Sequence, residues 1–97
     1  MIRHVVVFTW HDTVSAEQRA ATEAALARLP DEVGGMTSFA VGPDLGLAEG
    51  NAHTAVVADF PDADAWRGYA RHPRHLEVIA EHVRPFLAAR SAVQYEV

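Results

Sequence analysis

The sequence predicts one α+β domain in which four antiparallel strands form a sheet and the helices lie on one of its faces. Short segments rich in β-branched and aromatic residues alternate with amphipathic segments in the order βαββαβ. The chain has 97 residues, the length of one domain, and contains no internal repeat, low-complexity segment or linker. We therefore treat residues 1–97 as a single domain.

The first strand is predicted over Ile2–Trp10, a segment that is rich in β-branched and aromatic residues and too short for a buried helix. Because side chains alternate along a strand, one face of it carries Ile2, His4, Val6, Phe8 and Trp10. The opposite face carries Arg3, Val5, Val7 and Thr9. Both faces are largely apolar, so we expect both to be covered.

A helix is predicted next, over about residues 16–29. Ser15 and Gln18 have the spacing of a capping box, in which the serine side chain accepts a hydrogen bond from a free amide of the first turn. The alanine-rich segment after them favours a helix. Pro30 marks its end, because the residue before a proline avoids the helical conformation.

The second and third strands are predicted from two short segments. Met36 to Val41 alternates weakly, and Gly42-Pro43 should end it. Thr54 to Phe60 is a largely apolar run closed by Pro61, which is typical of a covered strand.

The stretch YARHPRH, residues 69–75, predicts a break between two helices. Asp62 can cap a first helix whose inward residues are Trp66, Tyr69 and Ala70, at spacings of three and four. Pro73 suits the first turn of a new helix, and His72 before it should be extended, with its ring available to cap that helix. An amphipathic stripe then runs through Leu76, Ile79, Ala80, Val83 and Leu87, and Pro85 interrupts it near its end.

In the segment Ser91–Val97, Val93, Tyr95 and Val97 alternate with polar or small neighbours, and this predicts the fourth strand. The order βαββαβ gives a ferredoxin-like arrangement, which leaves one face of the sheet without helices. The residues expected on that bare face are apolar: Val5, Val7, Ala55 and Val57. Burying them requires a second subunit packed sheet to sheet, so we expect a homodimer.

The composition restricts the partners of the protein. A net charge of −5 without a basic run disfavours nucleic acid and anionic membrane surfaces. The absence of cysteine excludes disulfides and thiolate zinc sites, and this makes oligomerisation the expected supplement to a small core. The N-terminal segment lacks the apolar region of a signal peptide, and no run of about 18 apolar residues occurs, so we expect a cytoplasmic protein.

Several motifs together resemble one family, the stress-responsive dimeric α/β-barrel domains called Dabb. They are the opening IRHVVVFTW, S-x-E-Q at the first helix, G-N before the third strand, the V-A-D-F-P-D corner at the end of that strand, Y-x-x-H-P-x-H, and the closing V-x-Y. The resemblance covers about Ile2 to Val97. It implies a homodimer in which two four-stranded sheets close into a barrel with the helices outside.

One branch of this family closes linear polyketides by a cofactor-free aldol reaction. The resemblance places the histidine of its first strand on His4, its tyrosine on Tyr69 and the last histidine of H-P-x-H on His75. The histidine of its third strand falls on Thr54, where this chain departs from the pattern. The neighbouring His53 should point to the opposite face, because a shift of one residue along a strand reverses the side chain.

His4, Tyr69 and His75 are expected to meet on the helix-facing side of the sheet. A histidine can take up and return a proton near neutral pH, and a tyrosine hydroxyl can stabilise an enolate oxygen. We assign His75 as the base, Tyr69 as the oxyanion donor and His4 as the group that orients His75 or the substrate. An alternative, in which the three side chains hydrogen-bond one another only to satisfy buried polar groups, stays open.

We predict neither a metal site nor a cofactor, since no third ligand accompanies His72 and His75 at a diagnostic spacing. The leading hypothesis is a homodimer that binds a small apolar or aromatic compound between helices and sheet. The expected lining, besides the three polar residues, is Val6, Phe8, Thr54, Val56, Phe60, Trp66 and Leu76.

If the protein is an enzyme, we expect a cofactor-independent lyase or cyclase acting on a carbonyl compound. One alternative is a structural or interaction dimer without a ligand. Another is an activity like that of the antibiotic-biosynthesis monooxygenases or haem-degrading proteins, which resemble this family in fold.

Overall fold

A computed structural model describes residues 1–97 and contains the predicted order of strands and helices. Four strands form one antiparallel sheet in the spatial order β2-β3-β1-β4: β1 (Ile2–Trp10), β2 (Ser38–Pro43), β3 (Thr54–Phe60) and β4 (Leu87–Glu96). The helices are α1 (Ala16–Ala27), α2 (Leu29–Glu32), α3 (Ala63–Arg71) and α4 (Pro73–Val78). A π-helical turn (Ile79–Val83) and a 3-10 turn (Arg84–Phe86) connect α4 to β4. The ferredoxin-like α+β prediction is therefore confirmed.

The three predicted helix caps are all formed. The Ser15 hydroxyl accepts a hydrogen bond from the Gln18 amide at 3.1 Å, and the Asp62 carboxylate accepts one from the Ala65 amide at 2.8 Å. His72 is extended, and its Nδ1 accepts a hydrogen bond from the Arg74 amide at 3.0 Å. The break at His72-Pro73 is thus confirmed. None of the helices has the length and apolarity that crossing a membrane requires.

The hydrophobic core lies between the helices and one face of the sheet. The sheet contributes alternate residues of β1 and β3, as the pattern predicts, and the helical segments contribute the rest. Its buried members are Val6, Phe8, Trp10, Ala25, Leu26, Leu29, Val56, Ala58, Phe60, Tyr69, Val78 and Val83. A hydrogen bond of 2.7 Å from the Thr22 hydroxyl of α1 to the His82 carbonyl ties the π-helical turn to this core.

Two elements in the first half of the chain have boundaries that differ from the predictions. The first helix ends at Ala27 rather than Leu29, and a separate short helix, α2, starts at Leu29 with Pro30 in its first turn. A proline is tolerated there because the amide it lacks would have no helical partner. The second strand runs from Ser38 to Pro43, whereas Met36 to Val41 was predicted. β2 is an edge strand, where a proline need not donate to a neighbour.

The fourth strand starts at Leu87, four residues before the predicted Ser91. Leu87 was expected on the amphipathic helical stripe, and this expectation is wrong. Pro85 cannot continue a helix, so the chain tightens into the 3-10 turn and enters the sheet at once. Leu87 then pairs with Trp10, next to a shift in register between Thr9 and Trp10.

The opposite face of the sheet carries no helix. Val5 pairs with Val57 and Val7 with Ala55 across β1 and β3, and all four side chains are only half-buried. On β4, Val93 lies beside Val5 and is 53% exposed. The predicted apolar residues therefore do lie on an open face, which the single chain does not cover.

Candidate functional site

A cavity of about 330 Å³ lies on the helix-facing side of the sheet. Its lining is mostly hydrophobic and contains no aspartate or glutamate. The sheet provides His4, Val6, Phe8, Val56, Leu87 and Arg90, and the helices and turns provide Leu26, Trp66, Tyr69, Ala70, His75, Leu76, Ile79, Val83 and Arg84. The structure thus brings His4, Tyr69 and His75 to one cavity, together with five of the seven other residues expected there.

Phe60 and Thr54, the remaining two, do not line this cavity. Phe60 is fully buried beneath Tyr69, with 5.2 Å between the ring centroids. The Thr54 hydroxyl accepts a hydrogen bond from Trp10 Nε1 at 3.0 Å and donates one to Glu23 Oε2 at 2.7 Å. Both side chains are therefore engaged in packing and hydrogen bonds outside the cavity.

His53, next to Thr54, is also engaged elsewhere. Its Nδ1 accepts a hydrogen bond from the Trp10 amide at 3.0 Å, and the residue is not part of the cavity lining. Its ring therefore holds the end of β1. No histidine of this chain replaces the one that the resemblance would place at Thr54.

The His75 ring is held by the main chain. Its Nδ1 lies 3.1 Å from the Ala70 carbonyl oxygen. Because a carbonyl can only accept, Nδ1 carries the proton, and Nε2 of the neutral ring has a free lone pair. Burial lowers the pKa of His75, and this outweighs the opposing effect of the Ala70 hydrogen bond. The arrangement favours a neutral imidazole that can accept a proton.

His4 is buried on β1 and has the complementary tautomer. Its Nδ1 lies 2.8 Å from Nε2 of Gln94, the residue directly opposite it on β4. An amide nitrogen only donates, so Nδ1 accepts and Nε2 of the neutral ring carries the proton. Burial, and then the positive charge of Arg90, lower the pKa of His4 to about 4. His4 is therefore a neutral hydrogen-bond donor at neutral pH.

Tyr69 lies between the two histidines. Its ring centroid is 4.4 Å from that of His75 and 6.4 Å from that of His4. The side chain is 5% exposed, and burial raises its pKa to about 12, so the hydroxyl remains protonated and can donate. The only side-chain hydrogen bonds of the two histidines go to Gln94 and Ala70, so the three groups do not satisfy one another.

Trp66 lines the cavity next to His4. Its ring centroid is 6.0 Å from that of His4, and its indole N–H is buried without a hydrogen-bond partner. Buried donors are nearly always paired in folded proteins. This donor requires an acceptor that the chain itself does not supply.

His72, the other histidine of the YARHPRH stretch, acts as a helix cap. Because its Nδ1 accepts from the Arg74 amide, this nitrogen is not free to bind a metal ion. No group of three or more histidine, cysteine, aspartate or glutamate side chains with the arrangement of a metal site is found.

Four polar contributors to the site were not predicted from the sequence: Gln94, the Ala70 carbonyl, Arg84 and Arg90. Gln94 had a usable signal, because Val93 and Tyr95 were assigned to one face of a strand and the residue between them must face the other way. The remaining three depend on the turn at Pro73 and on the early start of β4, which the pattern did not indicate.

The chain belongs to the stress-responsive A/B barrel domain family, Dabb, whose family model matches residues 2–97. A dimeric ferredoxin-like protein of unknown function from Thermobifida fusca is 43% identical, with a TM-score of 0.90 over 99% of this chain and 90% of that chain. None of the curated proteins matches this chain in sequence.

Two enzymes share the fold at low sequence identity. A hydroxynitrile lyase from Passiflora edulis is 20% identical, with a TM-score of 0.86 over 99% of this chain and 92% of that chain. SnoaB, a cofactor-independent oxygenase from Streptomyces nogalater, is 17% identical, with a TM-score of 0.76 over 99% of this chain and 91% of that chain. At these identities the likeness extends to the fold alone.

The low pKa of His4 predicts a loss of stability in acid. The unfolded chain takes up a proton at this position near the ordinary value of 6.5, whereas the folded protein does so only near 4. The free energy of unfolding should therefore fall as the pH decreases from about 6.5 to about 4, by roughly 1 to 3 kcal/mol from this group. Urea denaturation across this range measures the loss.

The His4→Gln variant should lose less stability over the same pH interval than the unaltered protein. His11, which is exposed after β1, provides the matched control as His11→Gln. Equal pH dependence in His4→Gln and the unaltered protein would contradict a buried, neutral His4.

Proposed function

We propose that the protein is a homodimer that binds a small apolar or aromatic carbonyl compound and acts on it as a cofactor-independent lyase or cyclase. The observation that carries the proposal is the placement of His75 and Tyr69 in one apolar cavity, with 4.4 Å between their rings. The main chain fixes the His75 proton on Nδ1, so that Nε2 can act as a base. A cavity of about 330 Å³ has the size of a small-molecule site.

The proposed reaction begins with proton removal. His75 Nε2 takes a proton from the carbon next to the substrate carbonyl, and the electron pair of that bond moves to give an enolate. The Tyr69 hydroxyl and the Nε2–H of His4 donate hydrogen bonds to the enolate oxygen. Donors of this kind are most effective in an apolar, water-excluding site, because the developing charge is not screened there.

A cyclase would then form a carbon–carbon bond. The enolate carbon attacks a second carbonyl group of the same substrate, and the resulting alkoxide takes back the proton from His75. These steps move one proton through His75 and form one carbon–carbon bond within the substrate, so no external oxidant or reductant is needed. Run in reverse, the same steps cleave the bond, and this is the lyase direction.

The pKa directions at the site are consistent with these roles. Burial keeps His75 neutral and therefore able to accept a proton, and it keeps Tyr69 protonated and therefore able to donate. His4 is neutral with its free proton on Nε2, so it would add a second donor without a charge. One base and two neutral donors are what enolate formation needs.

The relatives support the proposal only at the level of the fold. The presence of this fold in a hydroxynitrile lyase and in a cofactor-independent oxygenase fits an interior that can host chemistry. A shared fold does not transfer a substrate, so the choice of a carbonyl compound rests on the side chains of this chain.

Enolate formation can be tested without the natural substrate. In deuterated buffer, the protein should speed the exchange of the methyl protons of acetophenone, a small aromatic ketone, as followed by proton NMR. His75→Gln should lower the protein-dependent rate by roughly 10²- to 10⁴-fold because the base is lost. Tyr69→Phe should lower it by roughly 100-fold because one oxyanion donor is lost.

His11→Gln is the control in this assay, since it removes an exposed histidine outside the cavity. Unchanged exchange in His75→Gln would overturn the assignment of the base. No exchange by the unaltered protein, combined with no binding of acetophenone, would instead favour a dimer without a ligand.

The proposed homodimer buries the open face of the sheet against a second copy. The half-buried Val5, Val7, Ala55 and Val57 form an apolar patch that the single chain leaves accessible. The 43% identical protein from Thermobifida fusca is described as dimeric. This likeness and the open face both favour two sheets packed against each other, as the family barrel implies.

A charge in the centre of the open face should prevent this association. Val57→Glu should give monomer or aggregate, because a carboxylate without a partner is costly to bury. Ala24→Glu, on the exposed surface of α1, adds the same charge away from the sheet and should leave the dimer intact. Sedimentation at micromolar concentration measures the mass, and a folded monomer of the unaltered protein would contradict the proposed dimer.

A further inference from the structure

Two arginines of the cavity lining have no carboxylate partner. All eight basic residues of the chain are arginines, and four of them form salt bridges: Arg3, Arg28, Arg67 and Arg74. Arg84 and Arg90 form neither a salt bridge nor a side-chain hydrogen bond, yet both line the cavity. With no acidic residue in the lining, this cavity is a positive region on a chain of net charge −5.

The two charges lie where the cavity opens to solvent. Arg90 on β4 is directly opposite Phe8 on β1, so it projects from the helix-facing side of the sheet. Arg84 starts the 3-10 turn that leads into β4. Both are exposed, as is Leu76, at 53%, whereas His4 and Tyr69 are buried. The lining therefore changes from cationic at the exposed end to apolar inside.

We infer that the ligand of this cavity is an amphipathic carboxylate, whose acid group binds Arg84 and Arg90 at the opening and whose apolar body extends inward toward Tyr69 and His75. The inference rests on the proposed function and adds to it the charge and the orientation of the substrate. It requires the acid group and the reactive carbonyl to lie at different positions along the molecule.

Electrostatics favours this class of ligand over a neutral one. Two positive groups at one opening repel each other, and a carboxylate between them removes the repulsion. Guanidinium groups match a carboxylate with two parallel hydrogen bonds, which makes such pairs specific as well as strong. A neutral apolar compound would satisfy the interior but would leave both arginines without a partner.

The charge of Arg90 also reaches the proposed catalytic groups. It lowers the pKa of both His4 and His75, as a positive neighbour does. A bound carboxylate would offset part of this effect and make His75 a stronger base. The acid group of the substrate would thus assist the proton transfer from the other end of the cavity.

The test compares cinnamate with cinnamamide, which have the same apolar body and differ in charge. Calorimetry in low-salt buffer at neutral pH measures the affinity of the full chain for each probe. Cinnamate should bind roughly tenfold more tightly, as expected for a carboxylate between two exposed arginines. Chemical shifts of the Tyr69 and His75 rings should change with both probes and thereby locate them in the cavity.

The double variant Arg84→Gln/Arg90→Gln should bind the two probes with equal affinity, because the preference for the charged probe is lost. Both positions are exposed, so these substitutions should spare the fold. The matched control is Arg67→Gln/Arg71→Gln, which removes two exposed charges of α3 that do not line the cavity. This control should retain the preference for cinnamate.

Equal affinity of the unaltered protein for both probes would overturn the inference and leave the proposed binding function intact. A preference for cinnamate that persists in Arg84→Gln/Arg90→Gln would also overturn the inference, because the two arginines would not be its cause. Failure of both probes to bind would overturn the cavity as a binding site, and the inference with it.

Discussion

The missing amide hydrogen of Pro73 is the constraint on which the candidate site depends. In a continuous helix the Pro73 and Arg74 amides would bond to the carbonyls of Tyr69 and Ala70. Pro73 cannot donate, so the chain turns at His72, whose own amide bonds to the Tyr69 carbonyl at 3.2 Å. The Arg74 amide donates its hydrogen bond to the His72 ring instead. The Ala70 carbonyl is therefore free to accept a hydrogen bond from His75. One proline thus determines where His75 lies and which of its nitrogens is free.

Burial then determines the charge of each group in the cavity. His4 and Tyr69 both lie in an environment that penalises ions, so the pKa of the histidine falls and that of the tyrosine rises. The result is a set of neutral donors and one neutral base rather than an ion pair. The charged side chains of the lining are Arg84 and Arg90. Both lie at the opening, where water can solvate them when no ligand is bound. An apolar interior and a cationic opening together suit the amphipathic ligand that we infer.

The parts of the fold governed by local patterns were predictable from the sequence. β1 and β3 have the predicted limits, because continuous apolar runs bounded by turn residues leave little choice of register. The helix break followed from the chemistry of one proline. The limits of β2 and β4 were not predictable in the same way. Pro43 is acceptable only because β2 is an edge strand, and the entry of Leu87 into the sheet depends on its pairing with Trp10.

The candidate site was predictable in its residues more than in its geometry. Alternation along β1 indicated the face of His4, and helical spacing indicated the inward side of Tyr69. The pairing of strands that are distant in sequence determines the remaining geometry of the site. It places Gln94 opposite His4 and thereby fixes the tautomer of that ring, and it places Arg90 opposite Phe8. Thr54 was expected in the lining, but its bonds to Trp10 and Glu23 hold it in the core, and no local pattern indicates such partners.

The proposed chemistry requires that the main chain hold His75 as a neutral base with its proton on Nδ1. Nitrogen-15 NMR of the histidine rings measures this directly, because protonated and unprotonated ring nitrogens differ widely in chemical shift. At neutral pH we expect His75 to have a protonated Nδ1 and an unprotonated Nε2, and His4 to have the opposite tautomer. A His75 ring that is protonated on Nε2, or that carries both protons at neutral pH, would contradict the assignment of His75 as the base.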